Sequence, residues 1–326
     1  MMAPGIRLTG GLALAAAMAT MPWLASGYAV DVLTKIMIFA VLAISMELLL
    51  GTTGLVSFGQ AAFFGVGAYA VVLLQAHFGV TNVFGALMAA IVAAVVVGAV
   101  VGALSLRTRH IYFIMVTLAF AQMLYHLAHD TPLVGGSDGM YMMAPLQLSL
   151  GPWRGFDLYG ETVVYLMALV GLVLSWTTAR LLLRAKFGRA LRGIGSNEQR
   201  MAAMGYVPYR YKLAIFMVGA ALAGLAGFLF IAKNGSASPE MMAWHQSGIV
   251  LLMVLIGGIG RLSGAVWGAV IYVLLQELLT SHDLLGPLSE YWLLWFGIAI
   301  IVIVALLPQG VMGEAERWLK ADNKEG

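Results

Sequence analysis

Few side chains in this sequence could hold a nucleotide, a metal or a proton. There is no Gly-Lys dipeptide, so no P-loop can cradle phosphates, and no HExxH or EF-hand pattern occurs. Cysteine is absent, which removes disulfides, thiolate nucleophiles and Cys-ligated metals. His126, His129 and Asp130 stand at helical spacing near the end of an apolar run. Without a third convincing ligand they read as a polar helix end at an interface rather than a metal site. The remaining candidates are polar groups inside apolar runs: Glu47, Gln60, Gln122, Gln276 and Glu277. An ionisable group inside a membrane is a functional candidate by default. Glu47 lies about one turn from one end of its run and Glu277 near the end of another, whereas an ion-coupled carrier holds such a group near the midplane. The glutamines either line a polar path or hydrogen-bond between helices. Glu47, Gln60, Gln122 and Gln276 are therefore the candidate path residues. No catalytic group and no cofactor bound by this chain is expected.

The elements that must position these groups follow from composition. Of 326 residues, 61% are hydrophobic and 10% charged, with a mean hydropathy of +0.92. A soluble protein carries about 45–50% apolar and about 25% charged residues. A water-soluble enzyme, a nucleic-acid-binding domain and a disordered chain are excluded. A membrane helix needs roughly 20 mainly apolar residues. Ten runs qualify as candidates: 9–26, 32–50, 55–75, 83–106, 111–128, 162–183, 212–232, 247–260, 263–280 and 291–307. They are too long and too continuously apolar for barrel strands. Run 247–260 is short enough to be re-entrant, and run 55–75 is interrupted by Gly59, Gly65 and Gly67, which suits a broken helix or close packing. Gly224, Gly227, Gly257 and Gly258 mark further close-packing or hinge points. The expected fold is an all-α polytopic bundle of eight to ten transmembrane or re-entrant helices.

Charge placement orients the bundle. Arg180, Arg184, Lys186, Arg189, Arg192, Arg200, Arg210 and Lys212 are eight of the 18 basic residues and face only Glu198 in their stretch. The positive-inside rule puts this loop in the cytoplasm. Arg107, Arg109, Arg261 and the Arg317, Lys320, Lys324 tail fall on the same side when ten spans alternate. Asp31, Asp130, Asp138, Asp157, Glu161, Glu240, Asp283 and Glu290 fall on the other, with only Arg154 and Lys233 against them. Both termini are then cytoplasmic. Residues 1–310 form the membrane domain, with a cytoplasmic loop 185–211 and an outer excursion 129–161, and 311–326 form a cytoplasmic tail. The first run, preceded by Arg7 and followed by Ala25-Ser26-Gly27, has features of a signal peptide but reads as a retained helix. Within the basic loop, Ser196 to Met204 read as a short charged helix with Gly205 as its C-cap. Such a helix outside the bilayer either docks another protein or merely orients the chain.

A resemblance tips that balance. The loop, ending in Ala202-Ala203-Met204-Gly205, is similar to the segment that inserts into the ATPase subunits of ABC importers. Tyr209-Arg210-Tyr211-Lys212-Leu213-Ala214 and Ala223-Gly224-Leu225-Ala226-Gly227 resemble the LivM-type permeases of branched-chain amino acid transporters. So do Gly54-Leu55-Val56-Ser57-Phe58-Gly59-Gln60, Gly65-Val66-Gly67-Ala68-Tyr69, Thr117-Leu118-Ala119-Phe120-Ala121-Gln122, Gly135-Gly136-Ser137-Asp138-Gly139 and Gly257-Gly258-Ile259-Gly260. The likeness covers about residues 40–310. It implies a permease subunit of the cell inner membrane that moves branched-chain or related amino acids. Its implied partners are a second, LivH-type permease, two ATPases holding ATP and Mg, and a periplasmic solute-binding protein. The implied coupling residues are Arg189, Arg192, Glu198, Arg200, Ala202, Ala203 and Gly205. Two positions depart: Ala202 replaces an acidic residue, leaving coupling to Glu198 and the arginines, and His110 stands where glycine is frequent. The competing classes are a stand-alone ion-coupled carrier and a passive channel.

Overall fold

The computed structural model describes residues 18–23, 26–150, 153–157, 160–281, 286, 291–314 and 317–318. The expected first span 9–26, apart from residues 18–23 and 26, and most of the tail lie outside them, as do Asp283 and Glu290. In chain order the helices are α1 (Gly27–Thr53), α2 (Gln60–Phe78), α3 (Val83–Ser105), α4 (Ile111–Asp130) and α5 (Glu161–Arg184). Then come α6 (Lys186–Ser196), α7 (Glu198–Ala203), α8 (Pro208–Asn234), α9 (Trp244–Gly257), α10 (Leu262–Thr280) and α11 (Trp292–Leu306). Eight helices among the described residues are long and apolar enough to cross a membrane, and the protein is a polytopic helical membrane protein. α1 and α8 are apolar all round and largely buried, as expected of the centre of a bundle. α3, α4, α5 and α11 bury only a narrow stripe and turn the rest outward.

The bundle has two chemically distinct ends. At one, Gly195 abuts the Thr52 carbonyl, Gly51 abuts Gly260, and the Tyr209 hydroxyl donates to the Ala103 carbonyl at 2.9 Å. The turns and helices carrying Arg107, Arg189, Arg210 and Arg261 therefore share this basic end. At the other, Lys233 pairs with Asp31 at 2.7 Å, Lys35 with Glu277 at 3.7 Å, and Gly27 lies against Glu161. The outer excursion folds over this acidic end. β1 (Met140–Tyr141) pairs antiparallel with β4 (Ser236–Ala237), Met140 opposite Ala237. β2 (Gln147–Leu150) pairs with β3 (Trp153–Asp157) as a hairpin. The Gln75 side chain fastens the excursion down by donating to the Ala144 carbonyl and accepting from the Met143 amide.

Both doubtful runs belong to segments that cross from end to end, each part helix and part irregular chain. The chain leaves α1 at the basic end, climbs without helix through 54–59, and only then starts α2. It leaves α8 at the acidic end and descends through 235–243, including a 3-10 turn at Pro239–Met242, before starting the 14-residue α9. Neither segment returns to its own side, so the re-entrant alternative for 55–75 and 247–260 does not hold. α2 itself is unbroken. Gly65 and Gly67 sit inside it, against Met242 and against the Gly224 backbone, while Gly59 precedes its first turn. α11 returns the chain to the basic end, where Arg261 donates to the Gln309 carbonyl at 3.5 Å.

Candidate functional site

The basic loop is more structured than its sequence suggests, because it forms two helices. α6 buries Gly188, Ala190, Leu191 and Ile194 and exposes Arg189 and Arg192. Its glycines permit contact on three sides: Gly188 on the last turn of α5, Gly193 on Met201 of α7, and Gly195 on the Thr52 carbonyl of α1. Phe187 stacks on Tyr211 of α8 with ring centroids 5.6 Å apart, and Tyr206 meets the same ring edge-on at 5.7 Å. α6 is thereby fixed to α1, α5 and α8 together.

α7 is capped by Asn197, not Ser196, since the Asn197 side chain accepts from the Arg200 amide at 2.8 Å. It ends in a Schellman arrangement: the Gly205 amide donates to Ala202, and the Tyr206 amide donates to Met201. This requires the positive φ of +86° at Gly205. Two residues from the coupling set have duties inside the chain. Glu198 accepts from Lys212 at 2.7 Å, tying α7 to α8, and Arg192 donates to the Leu183 carbonyl at the end of α5. Arg189, Arg200, Ala202, Ala203 and Gly205 are exposed. With them lies an apolar tip that sequence reasoning missed: Met204 (69% exposed), Tyr206 and Val207, flanked in the chain by the exposed Arg200 and Arg210. Exposed apolar surface with a charged rim marks an interaction site. Its sequence signal was the run Met204 to Val207, which is apolar but lies outside any span.

A second constellation lies inside the bundle, where the break before α2 meets the start of α9. The Ser247 hydroxyl donates to the Phe58 carbonyl at 2.7 Å and accepts from the Ala61 amide at 3.1 Å. The Phe58 amide donates to Thr117 Oγ1 of α4 at 3.2 Å, and the Gly59 amide to Ser57 Oγ at 3.1 Å. Irregular backbone survives at membrane depth only when protein satisfies it in this way. At a rise of about 1.5 Å per residue, Ser45, Thr117, Gly219 and Ser247 place the junction about 9–16 Å inside the basic end. Gln60 opens α2 here, fully buried, with neither its carbonyl oxygen nor its amide nitrogen hydrogen-bonded.

The other path candidates do not gather around it. Glu47 is buried at the basic end, facing the backbone amides of Gly260 and Arg261 and the Arg261 charge. Its partner is thus remote in sequence. Gln276 is half-buried on α10 beside Glu277, which binds Tyr28 and Lys35 at the acidic end. Gln122 sits on α4 with its amide nitrogen buried and unpartnered. Gly227 rests on the Phe64 backbone and Gly257 on Gly264, whereas Gly258 forms a turn at positive φ. His126 and Asp130 are exposed and His129 is half-buried, with His129 and Asp130 2.9 Å apart. At the acidic end a cleft of about 710 Å³ is lined by Asp31, Thr34, Glu161, Lys233 and Asn234.

Residues 28–305 match the family described as the permease component of the branched-chain amino acid transport system. The chain belongs to this permease family. It is 30% identical to the LivM permease protein of the high-affinity branched-chain amino acid transport system of Escherichia coli strain K12, covering 93% of this chain and 74% of that one. A probable LivH permease protein of Methanocaldococcus jannaschii is 27% identical over 87% of this chain and 91% of its own. The ribose import permease RbsC of Bacillus subtilis is 29% identical over about half of each chain (48% and 50%). No solved structure matches. As a family permease the chain is a transport subunit, and α6–α7 is the element that the likeness of residues 185–211 singled out.

Proposed function

We propose that this chain is one permease half of an ATP-driven importer of branched-chain or closely related amino acids in the inner membrane. Its partners are a second, LivH-type permease, two cytoplasmic ATPases carrying ATP and Mg, and a periplasmic solute-binding protein. The observation that carries the reading is the α6–α7 unit: an exposed apolar tip in the loop that also exposes Arg189, Arg200 and Arg210, with α6 fixed to three membrane helices at once. A tip of that kind transmits a push, because the helices behind it cannot stay in place when it moves. The basic end faces the cytoplasm by charge sorting, which puts α6–α7 and residues 309–314 beside the ATPases. The cleft between Asp31 and Lys233 opens toward the periplasm, and the acidic residues there speed encounter with the binding protein more than they tighten it.

The test is reconstitution. Co-expressed with a LivH-type permease and two nucleotide-binding chains, this protein co-purifies with them in mild detergent. Proteoliposomes supplied with the binding protein then accumulate leucine only when ATP is enclosed on the ATPase side. Uptake driven by a proton or sodium gradient without ATP would replace this reading with that of a secondary carrier.

A further inference from the structure

We infer that Gln60 contacts the transported solute, and that Gly219 of α8 covers it in the resting conformation. The inference rests on the importer reading and adds the group that recognises the cargo. At the junction of the two irregular segments, every hydrogen bond described above joins a backbone group to a side chain placed for it: Ser57, Thr117 and Ser247. Gln60 stands apart. It lies within this set of fulfilled bonds, is 0% exposed, and has both polar atoms of its amide unpartnered. A buried amide left without partners is costly, and the surrounding bonds show that this region can supply partners. A group so placed is satisfied in another conformation.

The cover is identifiable. A Cβ at Gly219 would lie 3.2 Å from the Gln60 amide nitrogen and 3.2 Å from the Ser45 carbonyl, so α8 closes over Gln60 through a residue with no side chain. Gly219 is two turns along α8 from Lys212, which is held to α7 by the 2.7 Å pair with Glu198. A displacement of α7 therefore moves the part of α8 that lies over Gln60. Once uncovered, the amide offers two donors and one acceptor and no net charge. That complements a zwitterion, whose carboxylate takes the N–H groups and whose ammonium takes the carbonyl, and it holds neither end strongly enough to trap it. Beside it, the start of α2 adds the positive end of a helix dipole toward the carboxylate.

Two variants decide the matter, each studied in the complete reconstituted complex. Gln60→Met keeps the length of the side chain and removes its polarity. The expected result is normal assembly, an unchanged or higher melting temperature, and leucine uptake lowered by about tenfold or more. Wild-type uptake with wild-type KM in this variant overturns the inference. Because the chain has no native cysteine, Gln60→Cys provides a second readout that does not depend on the first. It is expected to resist a small thiol reagent in the resting complex and to react during ATP-driven turnover. Equal reactivity in both states, or none in either, overturns the inference. Failure of the wild-type complex to transport any amino acid would count against the importer reading instead.

Discussion

His110 precedes α4 at φ 51° and ψ −118°, the one non-glycine residue with positive φ among those described. A side chain in that region costs about 1–3 kcal/mol. His110→Gly should therefore raise stability by about 1 kcal/mol, after the extra freedom of an unfolded glycine is subtracted. Thermal unfolding of the detergent-solubilised protein checks this, and a lowered melting temperature would mean that the ring holds the turn. Gly205 presents the opposite case. Nothing lies within 4 Å of where its Cβ would be, so substitution there meets backbone strain and not a clash. Amino acids transported per ATP hydrolysed should fall in the order Gly205→Asn, Gly205→Ala, Gly205→Val, since Asn tolerates the left-handed region and a branched residue does not. A loss that tracks side-chain volume instead would locate the defect in the partner's socket. The cap at Gly205 was legible in the sequence because a glycine closing a run of helix formers has one common use. The partner of Glu47 was not, because Arg261 lies over 200 residues away and only packing brings the two together.

The membrane helices were legible from their apolar runs, since lipid leaves the backbone little choice. α6 was not. Its Gly188, Gly193 and Gly195 look like loop residues, yet each sits where the helix touches another element too closely for a side chain. The same glycine spelling thus marks a turn at one position and a contact at another, and only the neighbouring chain distinguishes them. The inner half of the α2 crossing was hidden for a related reason. Hydropathy records that residues 55–59 are mostly apolar or small but not that they have no helical bonds of their own. Ser247 supplies part of what is missing by capping the start of α2 from α9. Ser247→Ala leaves the Ala61 amide and the Phe58 carbonyl buried without that partner, at a cost of about 2 kcal/mol. The expected outcome is a lower melting temperature with faster hydrogen exchange at Ala61 than at residues further along α2. Unchanged exchange at Ala61 would show that water replaces the hydroxyl.

Across the molecule, each described crossing reverses the one before it, and the two composite crossings obey the same alternation as the continuous helices. That regularity separates the charges: α6–α7, the α3–α4 turn and Arg261 gather at one end, and Asp31, Glu161, Lys233 and Glu277 at the other. Inserting the protein upside down would carry the arginine cluster across the bilayer, which the insertion machinery disfavours. Met204, on the apolar tip, and Met143, in the excursion, are both strongly exposed and stand at opposite ends. With no native cysteine, a single substitution at either position gives one reactive thiol. In intact cells stripped of their outer barrier, a membrane-impermeant thiol reagent should label Met143→Cys and leave Met204→Cys untouched. In inside-out vesicles the pattern should reverse, and the ATPase subunits should shield Met204→Cys when they are present. Labelling of Met204→Cys from the periplasm would place the apolar tip away from ATP and undo the proposed coupling, whatever the likeness to other permeases. Labelling of both positions from one side would instead require an even number of crossings between Met143 and Met204, against the single passage of α5 that joins the excursion to α6.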